Sequence, residues 1–150
     1  MLELNKIYQD DCLNILKQFN DNSINCCVTS PPYWALRDYG VEGQLGLEPT
    51  FEEYINKLCN IYNEVKRVLR KDGTCWVIIG DSYSGSGKGG NNPEYQSKHT
   101  EFGKPSIHSE RFGMPTTNIG VPAKSLVMIP FRFAIEMVNR GWILRNTIIW

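Results

Sequence analysis

The chain has 150 residues, 41% hydrophobic and 21% charged, enough for one domain with a core and with no apolar run long enough to span a bilayer. Sixteen basic and sixteen acidic residues cancel, so any basic face for nucleic acid must be local or lie on other polypeptide. The start, "MLELNKIYQDDCL", carries acids where a signal peptide needs an apolar centre, and a cytoplasmic location is expected.

Residues 4–9 read as a short strand, and "DDCLNILKQF" as a helix with Leu13, Leu16 and Phe19 at helical spacing. "NDNS" is a turn cluster, residues 24–29 are a second strand, and residues 35–49 are an ordered loop punctuated by Gly40, Gly43, Gly46 and Pro49. A long helix follows. Thr50 and Glu53 form a capping box, and Phe51, Tyr54, Ile55, Leu58, Ile61, Tyr62, Val65, Val68 and Leu69 trace one apolar face. Lys66, Arg67, Arg70 and Lys71 suit the negative end of that helix, with Gly73 as its left-handed C-cap. A capped, solvated helix end outweighs a DNA contact for this basic cluster.

"TCWVIIGD", 74–81, is a nearly continuous apolar run, the pattern of a parallel strand buried on both faces. From Ser82 to about Gly120 the chain is polar and rich in Gly, Ser and Asn without a sustained period. A loop of this length is functional or disordered, and a mobile loop at about 84–120 is expected, its Lys88, Lys98, Lys104 and Arg111 available to DNA phosphates. Residues 124–140 give a turn and a helix begun at Pro130 and ended by Gly141; "WILRNTIIW" is the last strand. The alternation of strands and helices argues for an α/β fold with a mainly parallel sheet. The chain stops inside an apolar strand, so the N-terminal piece of a longer protein is expected.

Five cysteines, Cys12, Cys26, Cys27, Cys59 and Cys75, include no Cys-x-x-Cys spacing, and they read as small buried hydrophobes in a reducing compartment. "SGSGKGG" is not a phosphate-binding loop: Ser82 stands where the first glycine is needed and Gly89 where a hydroxyl is needed. His99 and His108 have no partner spacing for a metal, so none is expected. Arg37 and Asp38 suit either a local ion pair or a substrate contact. Asp81 suits either a cap for loop backbone or the rim of a site; its place at the same sheet edge as Ser30 favours the rim. Trp142 and Trp150 read as core or interface.

The most informative stretch is "NCCVTSPPYW", where a strand runs into two prolines and two aromatic rings. Ligands of open parallel sheets bind at the carboxyl ends of strands. Ser30 offers a hydroxyl there, and consecutive prolines fix φ twice, aiming the Pro31 carbonyl in one direction. Tyr33 and Trp34 offer flat faces. Two acceptors and a stacking platform suit a planar ring with an exocyclic amine, such as a flipped nucleobase.

"TSPPYW", followed by "LRDYG", "LGLEPTFEEYI", "VLRKDGTCWVIIGDSY" and "IPFRFAIEMVNRGWILRNTIIW", resembles the amino-methylating DNA methyltransferases over nearly the whole chain. The resemblance implies a Rossmann-like methyltransferase sheet, incomplete here, with residues 1–150 as the N-terminal catalytic half. The target-recognition and glycine-rich cofactor segments would follow later. It implies methyl transfer from S-adenosylmethionine to an exocyclic base nitrogen in double-stranded DNA. Ser30 and the Pro31 carbonyl would hold the amine, Pro32 would brace the turn, Tyr33 would stack on the flipped base, and Asp11 in "YQDDCL" would contact the cofactor adenine. Ser at the first motif position favours N4 of cytosine, with N6 of adenine as the alternative. An inactive remnant or a DNA-binding module of the same fold is the reading from another class. Taken alone, residues 1–150 are expected to bind cofactor weakly and to self-associate through an exposed sheet edge.

Overall fold

The structure, a computed structural model, describes residues 3–84 and 120–149. The long loop expected at about 84–120, with His99, His108 and its four basic residues, lies outside the described residues apart from its two ends, as does Trp150. The chain divides into two compact units, one of Met1–Pro31, Ile55–Ile79 and Phe131–Trp150, the other of Pro32–Tyr54 and Gly80–Pro130. Among the described residues the elements in order are α1 (Cys12–Leu16), β1 (Ile24–Thr29), α2 (Phe51–Val68), β2 (Leu69–Val77) and α3 (Ile129–Asn139). None of the helices among the described residues is long and apolar enough to cross a membrane.

The first unit holds a strand–helix–strand arrangement, since β1 and β2 pair in parallel on either side of α2 in sequence. A parallel pair needs a crossover connection, and α2 supplies it. The ladder continues past β2 through the Ile78 N–H, which donates to the Thr29 carbonyl at 2.9 Å. The α/β class is therefore observed, with a parallel sheet of two strands among the described residues.

The helix expected to end at a Gly73 cap ends earlier and differently. β2 follows α2 without a loop, because Leu69 is already paired with Ile24. The last carbonyls of α2 find other donors: the N–H groups of Asn22 and Ser23 bond to Arg67 and Val68 at 3.1 and 2.8 Å. Thr50 caps the start through its hydroxyl on the Glu53 N–H (3.2 Å), one half of the expected capping box. Between the pairs Ile24↔Leu69 and Cys26↔Thr74, β2 carries an excursion of Arg70–Gly73 opposite Asn25. Gly73 lies in this excursion with an ordinary φ.

Within the first unit Ile55, Leu58, Cys59, Tyr62, Val65, Val68 and Leu69 are buried together with Phe133 and Met137. Tyr62 packs edge-on against Phe133 and Trp142, ring centroids 5.1 and 6.4 Å away. α3 ends as its sequence predicts. Gly141 has φ +81°, its N–H bonds to Val138, and the Trp142 N–H bonds to Met137, a Schellman arrangement. The Lys66 ammonium donates to the carbonyls of Arg140 and Gly141 at 3.0 and 2.8 Å. Arg67 donates to the Leu16 and Phe19 carbonyls and pairs with Asp21 and Glu64, and Arg70 pairs with Asp72. The basic cluster thus ties elements of its own unit together.

Three expectations fail here. Residues 4–9 form no strand; Asn5 has φ +57°, the Tyr8 hydroxyl bonds backbone at Glu3, and Ile7 is fully exposed. Residues 142–149 form no strand either, and Ile149 is 88% exposed. In both segments the apolar residues lack a neighbouring strand among the described residues, and without one a strand cannot close its hydrogen bonds. Nor is β2 buried on both faces, since Trp76 is 53% exposed. Of the cysteines, only Cys59 is buried, and burial pushes its thiol up to about 11. Cys27 and Cys75 face each other in register, and the hydrogen bond between them pulls the Cys27 thiol down to about 7.

A Cβ on residue 73 would lie 2.9 Å from the Arg70 carbonyl oxygen and 3.1 Å from that of Asn25. Replacing a strand glycine by alanine ordinarily gains about 0.5–1 kcal/mol, whereas overpacking against fixed atoms costs about 1–3 kcal/mol. Crowding by backbone wins. Gly73→Ala is expected to lower stability by about 1 kcal/mol or more in urea unfolding, and an unchanged or raised midpoint would contradict this geometry.

Candidate active site

Ser30 leaves the carboxyl end of β1 and is exposed, on the alternation of Cys26 and Val28. Pro31 after it is buried, and no hydrogen bond among the described residues reaches its carbonyl. These residues close the first unit's N-terminal segment; Pro32 opens the second unit.

In the second unit the Pro32–Trp34 segment is held at every residue. The Tyr54 hydroxyl, at the end of the first turn of α2, donates to the Pro32 carbonyl at 2.8 Å. Tyr33 is half-buried, its ring against Gly80: a Cβ there would lie 2.7 and 2.8 Å from two ring carbons. Its carbonyl faces Gly46, where a Cβ would come within 2.6 Å; Gly46 also has φ +95°, so both space and conformation demand glycine. The Trp34 carbonyl accepts from the buried Ser82 hydroxyl at 2.8 Å, and its indole N–H donates to the Glu48 carbonyl at 3.0 Å. The Gly46 N–H donates to Glu48 Oε2 at 2.8 Å, and the Ala35 N–H to the Gly46 carbonyl at 2.8 Å.

Trp34 corrects its expected role. It is 1% exposed and packs edge-on against Phe51 at 6.1 Å, so it is a core residue and its face is not open to a ligand. Of the two adjacent aromatics, Tyr33 alone remains partly accessible.

Both candidate acids cap helices. Asp11 is exposed and accepts from the Leu13 and Asn14 N–H groups at 2.9 and 3.4 Å, all through Oδ1. No bond among the described residues joins it to Ser30. Asp81 accepts from Ser82 and Ile129 through Oδ1 at 2.8 and 3.0 Å and from Met128 through Oδ2 at 3.1 Å. It is a cap on the start of α3, where a carboxylate is favoured. Asp38 accepts from the Gly40 N–H at 2.7 Å, a local turn.

Sequence reasoning missed Tyr54, Gly80 and Ser82 as partners of the motif. Two signals were present. A tyrosine on an apolar helix face needs a partner for its hydroxyl, and a glycine at the end of an apolar strand marks a close approach.

Comparison with known proteins gives this arrangement its family. A family model described as DNA methylase, covering N6 and N4 methyltransferases, matches residues 24–150, and the chain belongs to that family. It is 39% identical over 99% of its length to the Type II methyltransferase M.Cfr9I of Citrobacter freundii, covering 47% of that protein. It is 39% identical to M.XycI of Xanthomonas campestris pv. cyanopsidis over 96% of the chain, covering 45% of the relative. M.SmaI of Serratia marcescens is 38% identical over 97% of the chain, which covers 47% of it. The chain therefore spans about half the length of these relatives. No solved structure matches it.

Ser82→Ala removes the hydroxyl that donates to the carbonyl of buried Trp34. A buried acceptor left without its donor costs about 1–3 kcal/mol. Denaturant unfolding of the variant is expected to show a loss in that range; a loss within error of zero would mean that the carbonyl finds another donor.

Proposed function

We propose that the chain is the catalytic portion of a DNA methyltransferase that transfers a methyl group from S-adenosylmethionine to N4 of cytosine, within a Rossmann-like sheet of which β1–α2–β2 is one part. Membership of the DNA methylase family and the names of its Type II methyltransferase relatives support this reading. The observation that carries it is an exposed Ser30 at the carboxyl end of a parallel strand, followed by the Pro31 carbonyl with no hydrogen bond among the described residues.

Bound S-adenosylmethionine supplies an electrophilic methyl group on a sulfonium. Asp11 fits its adenine amine: the residue is exposed, and its Oδ2 makes no hydrogen bond among the described residues. Ser30 Oγ and the Pro31 carbonyl accept from the target amine. By drawing its protons they weaken conjugation of the nitrogen lone pair with the base and aim it for direct displacement. Pro32, its carbonyl fixed by Tyr54, braces the turn, and the Tyr33 ring stacks on the flipped base. Positioning and oriented hydrogen bonds are the protein's contributions. No covalent cysteine is required. N6 of adenine is the alternative acceptor, because it too is an exocyclic amine on a flat ring.

In the full-length enzyme, Ser30→Ala and Tyr33→Ala are expected to lower methyl transfer by about 10²–10³ while leaving cofactor affinity near that of the wild type. A labelled-methyl assay reads the first and calorimetric titration the second. Mass spectrometry of digested product DNA is expected to show N4-methyldeoxycytidine; N6-methyldeoxyadenosine would overturn the choice of base. Unchanged turnover in Ser30→Ala would overturn its role.

A further inference from the structure

Gly80 is the one described glycine whose missing side chain makes room for a ring. Gly40, Gly43 and Gly120 have nothing within 4 Å of where a Cβ would stand. Gly46 and Gly73 meet backbone, and Gly141 meets the flexible end of Lys66. At Gly80 the nearest atoms are Cε2, Cδ2 and Cζ of Tyr33, at 2.7, 2.8 and 3.4 Å. Its φ is not in the left-handed region, so conformation does not ask for glycine at this position. Space does.

We propose that Gly80 is a positioning residue for methyl transfer, the bare floor on which the Tyr33 ring is seated and which sets where the target base stacks. This rests on the reading in which Tyr33 stacks on that base.

Both sides of the contact are fixed. The backbone around Tyr33 is held by the Tyr54 hydroxyl on the Pro32 carbonyl, by Gly46 against its own carbonyl and by the Ser82 hydroxyl on the Trp34 carbonyl. The floor is held too: Asp81 binds the N–H groups of Ser82, Met128 and Ile129, and Ser82 reaches back to Trp34. An added methyl at residue 80 therefore cannot be absorbed by sliding either backbone. Carbon atoms settle at about 3.5–4.0 Å, so the ring has to swing away by about 1 Å. A displacement of that size at a reacting centre costs about 10²-fold in rate.

The test is a double-mutant cycle in the full-length enzyme, with Gly80→Ala, Tyr33→Ala and the pair. Methyl transfer gives kcat and the cofactor KM, and denaturant unfolding is followed on every variant. Gly80→Ala is expected to lower kcat by about ten- to a hundredfold with the cofactor KM unchanged, and to cost nothing further in the Tyr33→Ala background. A general structural need for glycine would persist once the ring is gone. Additive losses, or an unchanged kcat in Gly80→Ala, would overturn the proposal while leaving the stacking role of Tyr33 intact. Wild-type turnover in Tyr33→Ala would instead remove the stacking role, and the proposal with it. If Gly80→Ala alone fails to fold, the pair decides. A folded pair as active as Tyr33→Ala supports the floor, and a pair that also fails to fold, or is less active, overturns it.

Discussion

Two consecutive prolines have no N–H to give, and most of what surrounds them follows from that. The chain after β1 cannot continue a ladder through Pro31 or Pro32, so it must be fixed by donors from outside to its carbonyls, or by packing. The second unit supplies both. A tyrosine hydroxyl takes the Pro32 carbonyl, a serine hydroxyl takes the Trp34 carbonyl, and the Trp34 ring is buried with its N–H on Glu48. The donors come from residues 22 and 48 positions away in sequence. The segment thus depends on the tertiary structure of its unit for its shape, and any group it offers a ligand inherits that rigidity.

The same need explains the helix that follows. The first turn of α2 places Tyr54 so that its ring is buried and its tip reaches a carbonyl, while Thr50 holds the turn at its start. Beyond Tyr54 the helix serves the first unit, carrying the chain from the end of β1 to the start of β2. One amphipathic helix therefore does two jobs in succession. Its apolar face is continuous from Phe51 to Val68, while its polar contacts change from bracing the motif to tying down α1 and α3.

Much of this was legible in the sequence where a residue's preference is local. The period of α2, the left-handed glycine after α3 and the bounds of β1 all matched, because helix periodicity, C′ glycine and strand-ending prolines act within a few residues. What failed was decided by partners. Apolar residues at 4–9 and 142–149 state a wish for burial, but burial needs a neighbouring strand, and the described residues provide none. Gly73 looked like a cap because it follows a helix and a basic cluster; in fact Leu69 had already entered the sheet, and Gly73 is needed to let two carbonyls pass. Tyr33 and Trp34 are neighbours with the same apparent chemistry. Which turned inward was settled by Phe51, Glu48 and Ser82, none of which is local.

The two acids that sequence alone would place near a site separate on the capacity each has left. A carboxylate offers about four acceptor positions, but a ligand must compete with donors already bound. Asp81 has both oxygens engaged, by three backbone N–H groups that belong to its own loop and to the start of α3. Releasing Met128 or Ile129 would leave the start of α3 uncapped, so its carboxylate is committed to structure. Asp11 meets its cap through Oδ1 alone, on a helix of five residues none of which is buried, and its Oδ2 makes no hydrogen bond among the described residues. The two N–H bonds hold its carboxylate in one orientation. Among the described residues, the acid with an oxygen left over is thus the one whose own helix asks least of it.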